Sequence, residues 1–297
     1  MPPAQGLHVE VCSGSAFETL LTLAARGRSD GSGELWLHLL GLALERPDDI
    51  VGAVRACPPR ELRRHLVGVH VPAWRALVGV QALEAAARGD EALLDHDRYY
   101  AGNARAALGP LLPLSPAETK RRILAALAEV ELDPAVLAAL ERETAAKRAL
   151  DALPEELIDL AAGGYRYERE PEIDRVVLVP HAAARPWLFL CQHERTRIVC
   201  YSLPSPQLLE ERALALGRAL ADEGRVRMLR RLAAGDATLN ELAAVAGVAR
   251  STAHHHLSLL RAASLVTMHG NARSYWFSLR VDAIAEAQRT VAELATA

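Results

Sequence analysis

The run Arg250-Ser251-Thr252-Ala253-His254-His255-His256 gathers arginine, hydroxyl and imidazole side chains within one short stretch. Arginine can grip a guanine edge with two parallel hydrogen bonds, hydroxyls serve phosphates or base edges, and imidazoles either hydrogen-bond or ligate a metal. Helical geometry chooses between these uses. At about 100° per residue, Arg250, His254, Ser258 and Arg261 share one face, while Ala253, Leu257 and Leu260 share the opposite one. Of the three histidines, His254 lies on the polar face, His255 at its margin and His256 on the apolar side. Residues that diverge in this way do not converge on one ion, so no metal is expected here. The polar face is free to enter a major groove, with Arg250, Ser251, Thr252, His254, His255 and Ser258 as candidate DNA contacts.

A second chemistry is carried by Cys191 and Cys200. If Gln192 to Val199 forms a hairpin whose turn centres on Arg195 and Thr196, Cys191 stands opposite Cys200 and His193 opposite Ile198. Two thiols so placed could oxidise or share an ion with a nearby histidine, making a redox or metal sensor. The alternative is that small cysteines fill a half-buried strand face. In the long N-terminal part, Trp36, His38, His70, Trp74, Tyr99, Tyr100, His181 and Trp187 are candidates to line a pocket for a small ligand. The chain has no glycine-rich phosphate loop, His-Glu-x-x-His, Gly-x-Ser-x-Gly or Cys-x-x-Cys. Neither enzyme chemistry nor a cofactor is therefore expected.

The elements that position the polar face are legible in the flanking residues. Thr238 and Glu241 form a capping box before an apolar run of Leu239, Leu242, Ala243 and Ala246, and Gly247 offers the left-handed residue that ends a helix. A second helix then starts at Arg250. Leu265-Val266-Thr267-Met268 and Ser274-Tyr275-Trp276-Phe277-Ser278-Leu279 are β-rich, and His269 to Arg273 between them is turn chemistry carrying a cation. This reads as a β-hairpin wing, with Arg273 placed to contact DNA. Upstream, Leu214 to Ala234 interleaves Leu216, Leu220, Met228, Leu229 and Leu232 with Arg225, Arg227, Arg230 and Arg231.

On these residues the chain resembles the ArsR-like family of winged-helix transcriptional regulators. The matching segments are Ala219 to Leu229, Glu241-Leu242-Ala243, Ser251 to Leu257 with Leu260-Arg261, and Ala263-Ser264-Leu265-Val266, within roughly residues 208 to 295. The resemblance implies a homodimer on a pseudo-palindromic double-stranded DNA operator, released or engaged by a signal, and composition makes a cytoplasmic location the expectation. It also implies a dimer interface built from the first and last helices of the domain. Metal-sensing members carry a Cys-x-Cys pair or Asp and His ligands, where this chain has Leu239-Asn240-Glu241-Leu242 and Asp282 to Glu286. Neither ligand set is present. The rest of the chain is similar to the long N-terminal region of larger actinobacterial-type members, a likeness that brings no ligand with it.

Charge and composition agree with that division. The 297 residues are 51% hydrophobic, with four cysteines at irregular spacing, so a disulfide scaffold is not expected. No apolar stretch is long enough to span a bilayer, and no membrane partner is expected. Residues 206–297 hold 11 arginines against 9 acids, whereas residues 1–205 hold 23 basic and 28 acidic residues. The basic excess is concentrated near the expected DNA face, as phosphate neutralisation requires.

The expected fold is mainly α with a small amount of β. Helices are expected at 15–26, 33–45, 47–56, 59–67, 72–88, 90–107, 116–130, 133–150 and 154–162, followed by a short antiparallel sheet over about 165–202. Residues 1–205 form a sensor or effector domain for an unidentified small ligand or partner, and 206–297 a winged helix-turn-helix domain for DNA binding and dimerisation. The sequence thus reads as a DNA-binding regulator, with a repressor preferred. The remaining alternative is a winged-helix module that contacts proteins without specific DNA binding.

Overall fold

The structure, a computed structural model, describes residues 6–27, 32–90, 109–203, 209–271 and 274–294. Tyr99 and Tyr100 with most of the helix expected over 90–107, the Pro204-Ser205-Pro206 break, and Arg273 lie outside the described residues. In chain order the elements are β1 (His8–Val11), α1 (Ser15–Arg26), α2 (Gly33–Leu37), α3 (Leu40–Glu45), α4 (Ile50–Ala56), α5 (Pro59–Leu66), α6 (Pro72–Val78), α7 (Val80–Arg88), α8 (Pro116–Ala128), α9 (Pro134–Arg148) and α10 (Pro154–Ala162). There follow β2 (Tyr165–Tyr167), β3 (Arg175–His181), β4 (Phe189–His193), β5 (Thr196–Ser202), α11 (Leu209–Leu220), α12 (Glu223–Ala233), β6 (Ala237–Thr238), α13 (Leu239–Ala246), α14 (Arg250–Ala262), β7 (Val266–Gly270), β8 (Tyr275–Leu279) and α15 (Asp282–Leu294).

Helix boundaries follow local chemistry. Proline stands in the first turn of α5, α6, α8, α9 and α10, where its missing N–H costs no bond. Asp49, Ser115 and Asp133 cap α4, α8 and α9 through their side chains. Two expected helices are interrupted. The run over 33–45 breaks at His38 and Leu39, and the His38 ring sits 2.8 Å from the Leu66 carbonyl. The run over 72–88 breaks at Gly79, whose φ of 91° is a value open to glycine and incompatible with a continuous helix.

The chain divides into two compact units that interleave in sequence. The first comprises residues 1–149, 172–185 and 189–200. Its strands run in the order β1-β3-β5-β4, with β1 parallel to β3 and β4 antiparallel to β5. The expected antiparallel sheet over 165–202 is therefore corrected: this sheet is mixed, draws β1 from near the N-terminus, and excludes β2. From Val176 to His181 every residue of β3 is buried, as the unbroken apolar run Val176-Val177-Leu178-Val179 requires. Phe17, Leu20, Leu39, Leu40, Leu62, Leu66 and Leu83 pack with Val177, Val179 and Ile198 in one core. Glu18 is buried on α1, and its carboxylate accepts the backbone N–H groups of Ala182 and Ala183.

The second unit comprises residues 150–171, 186–188 and 201–297. It starts earlier in sequence than the expected break at 205, because β2 pairs in parallel with β7, setting Tyr165 beside Met268 and Tyr167 beside Gly270. The strand order is β2-β7-β8-β6. Tyr165, fully buried, donates its hydroxyl to the Gly270 carbonyl at 3.1 Å. Met228, Leu232, Leu242, Ala253, Leu257, Leu260, Val266 and Phe277 are buried in this unit.

Candidate nucleic-acid interface

Two helices and a glycine turn set the geometry. Thr238 accepts the Glu241 N–H while the Glu241 carboxylate takes the Thr238 N–H at 2.7 Å, closing both ends of the capping box at the start of α13. Gly247 ends that helix with φ 72° and ψ 33°, a left-handed residue that returns the Val248 N–H to the Ala243 carbonyl. The chain then re-enters a helix at Arg250. Ala253, Leu257 and Leu260 face the interior, and Arg250, Ser251 and Thr252 are exposed on the first turn of α14.

Farther along α14 the polar face is not free. Ser258 is buried and its hydroxyl bonds the His254 carbonyl at 3.0 Å, so it is not positioned as the DNA contact expected from its place on the wheel. Trp187, only 9% exposed, stacks on His254 with ring centroids 5.1 Å apart and on His255 at 5.6 Å. Arg261 donates to the carbonyls of Ala162 and Gly163 at 2.9 and 3.0 Å and of Pro186 at 3.0 Å. Burial lowers its pKa to about 10, so the guanidinium stays charged at neutral pH. Sequence placed Trp187 in a ligand pocket; in the structure it covers the middle of α14.

The third histidine has a separate role. His256 is buried, with Nδ1 3.1 Å from the Arg225 guanidinium and Nε2 3.8 Å from Asp222. Burial depresses its pKa ahead of the opposing pull of Asp222. Asp222 itself caps α12 by accepting the Arg225 N–H, and that bond holds its carboxyl below the usual range. The histidine triplet is therefore split between Trp187 and the Arg225 cluster.

Residues 220–269 match the family model of a helix-turn-helix domain. No curated protein and no solved structure matches the chain. The match spans α12 to α14 and most of β7, the same residues whose capping box, left-handed glycine and exposed first turn are described above. A helix-turn-helix of this kind points to DNA binding. No helix among the described residues is long and apolar enough to cross a membrane.

The other sequence candidates fall elsewhere. Cys191 and Cys200 are free thiols on β4 and β5, but the turn is Glu194-Arg195, with Glu194 at φ 49°. The register consequently sets Cys191 opposite Ile198 and Phe189 opposite Cys200, correcting the direct pairing expected from sequence. His193 faces Thr196 rather than Ile198. The cysteines are diagonal neighbours on one face, and a hydrogen bond to Cys191 together with burial pushes the Cys200 thiol well up, away from the reactive thiolate. His181 is buried against Phe189, and Trp36 packs against the core of the first unit. His38, His70 and Trp74 do come together: the His38 ring stands edge-on to Trp74 at 5.5 Å and to His70 at 6.4 Å. His65, which sequence reasoning passed over, and His193, which it placed only beside the two cysteines, join them.

Proposed function

We propose that this protein is a DNA-binding transcriptional regulator of the winged-helix, ArsR-like kind, acting as a homodimer and repressing from its operator, with residues outside the helix-turn-helix domain receiving the signal. The observation that carries the reading is the exposed Arg250-Ser251-Thr252 turn at the start of the second helix, which follows a first helix capped by Thr238 and Glu241 and ended by Gly247. The β7–β8 hairpin fits the wing. Homodimerisation is supported by α11 and α15, which leave Leu214 and Val291 each 57% exposed, an apolar surface that a second copy would cover.

The test is fluorescence anisotropy with duplex DNA from the gene's own upstream region across a salt series. Affinity should fall steeply with salt, and Arg250→Ala should cost about 1–3 kcal/mol and relax sequence preference. Leu214→Glu should yield monomers by light scattering and weaken operator binding. Salt-independent or undetectable binding by the wild-type protein would overturn the reading.

The Trp187 stack supports a further element of the same reading, that α14 is partly sheathed when DNA is absent. His254 and His255 cannot stack on Trp187 and lie against DNA with the same ring faces. Trp187→Ala should then raise operator affinity, by roughly fivefold if the lost stack is worth about 1 kcal/mol. An unchanged affinity would mean that the stack persists in the complex.

A further inference from the structure

We propose that His65, His70 and His193 form a binding site in the first unit for a divalent transition-metal ion of zinc-like softness, with His38 orienting His70. The three come from separated stretches: His65 from α5, His70 from the turn before α6, and His193 from the end of β4. Their rings form a triangle with centroid separations of 4.7 Å (His65 to His70), 5.2 Å (His70 to His193) and 6.2 Å (His65 to His193). A metal–nitrogen bond of about 2.0–2.1 Å places each ring centroid roughly 3.2 Å from the ion, so tetrahedral imidazole ligands have centroids about 5 Å apart. The triangle has that scale.

Each of the rings has a nitrogen without a partner, that of His193 lying against Gly41. Nδ1 of His65, His70 and His193 and Nε2 of His38 are buried without a hydrogen-bond partner. Such atoms are uncommon in a folded protein and require a reason. The opposite nitrogens of two of these rings are anchored as ligand histidines usually are: His38 Nδ1 lies 2.8 Å from the Leu66 carbonyl, and the His70 ring donates to the His38 carbonyl. With Nε2 of His70 acting as donor, its Nδ1 carries the lone pair. Burial holds these imidazoles neutral, the form a metal needs: His38 is lowered to about 4 and His70 to about 2, and His65 and His193 are also lowered. Around them Glu61 and Glu45 pull upward on His65, and Arg64 pushes it down.

As the rings stand, no three described His, Cys, Asp or Glu side chains converge to hold an ion. The motion required is rotation about χ2, a broad and roughly two-fold torsion in histidine. The Nδ1 edge of the His193 ring packs onto Gly41, where a Cβ would not fit, and a χ2 flip exchanges Nδ1 for Cδ2 within much the same footprint. A cavity of about 220 Å³ borders His65 and His70, with Glu61, Arg64, Arg75 and Glu84 also in its lining. That cavity leaves room for a water or ligand in a fourth coordination position, the arrangement of an exchangeable site rather than a closed structural one.

The full-length protein, stripped with chelator and without DNA, is titrated with Co²⁺ and Zn²⁺. The expected result is about one ion per chain, a cobalt absorption spectrum of low coordination number, displacement by Zn²⁺, and affinity at least roughly tenfold weaker in His70→Gln and in His193→Gln. Circular dichroism establishes that each variant is folded, and the wild-type cobalt spectrum needs no variant at all. Absence of that spectrum and of zinc uptake by folded wild-type protein would overturn the site, as would binding of equal strength in His65→Gln, His70→Gln and His193→Gln. Because no DNA is present, this outcome is independent of the operator-binding result.

Discussion

Replacing Arg225 with alanine is expected to cost the helix-turn-helix domain about 3–5 kcal/mol, enough to leave it largely unfolded if its stability is ordinary for a small domain. Arg225 is buried at the start of α12 and holds several groups at once. Its Nε donates to the Ala219 carbonyl at 2.8 Å, one terminal nitrogen to the Arg218 carbonyl at 2.6 Å, and the other lies 3.1 Å from His256 on α14. These bonds tie the end of α11 to α14, because no apolar side chain can satisfy the two carbonyls that α11 leaves open. Truncation leaves those carbonyls short of partners, opens a cavity of guanidinium size and frees His256. The check is urea unfolding followed by far-UV circular dichroism, with Arg225→Lys as a second variant. Lysine retains the charge but cannot reach three acceptors in a fork, so it should recover only part of the loss. A stability change under about 1 kcal/mol for Arg225→Ala would show that the cluster is incidental to folding. DNA binding should fall in parallel, since Arg225 ties α14 to the end of α11 through His256.

The contrast between α13–α14 and the strands shows what sequence reveals and what it conceals. Thr238, Glu241 and Gly247 act on backbone groups within a few residues of themselves, so their types and spacing define the two helices and the turn. The buried set Ala253, Leu257 and Leu260 follows from helical periodicity in the same way. Ser258 and Arg261 share the polar face by that argument, yet their partners lie on their own helix turn and on residues 162–163 and 186, which periodicity cannot see. Strand pairing is likewise non-local: β1 finds β3 more than 160 residues later, and β2 joins β7 about 100 residues later. Nothing in His8-Val9-Glu10-Val11 names its partner. The Cys191 and Cys200 register failed on a single turn residue, because Glu194 takes a left-handed conformation and the two-residue turn sits one position earlier than expected, which moves each cross-strand partner by two. The histidine cluster is the extreme case. His38, His65, His70 and His193 follow no common period, and only the fold brings their rings together.

That cluster makes stability fall on acidification well before the carboxylates protonate. In chelated protein the unfolded chain binds a proton at each histidine near pH 6.5, whereas the folded state refuses it down to about 4 at His38 and about 2 at His70. His65 and His193 are depressed in the same direction, by burial above all. Below pH 6.5 the unfolded state therefore holds more protons, and stability decreases as pH falls, by up to about 1.4 kcal/mol per pH unit for each histidine kept neutral. Above pH 6.5 this contribution is complete and flat. Glu18 and Glu34 work against the trend: burial raises both carboxyls, so the folded state gains protons there as pH drops. Their opposing contribution is expected to be the smaller one, since Glu18 recovers much of its burial cost from the Ala182 and Ala183 N–H groups. Urea midpoints at pH 7.5, 6.5, 5.5 and 4.5 should therefore drop steeply over the last three points, and His70→Gln should flatten the slope by about one proton. A midpoint unchanged from pH 6.5 to 4.5 would mean that the rings take up protons in the folded state, which their burial beside one another forbids.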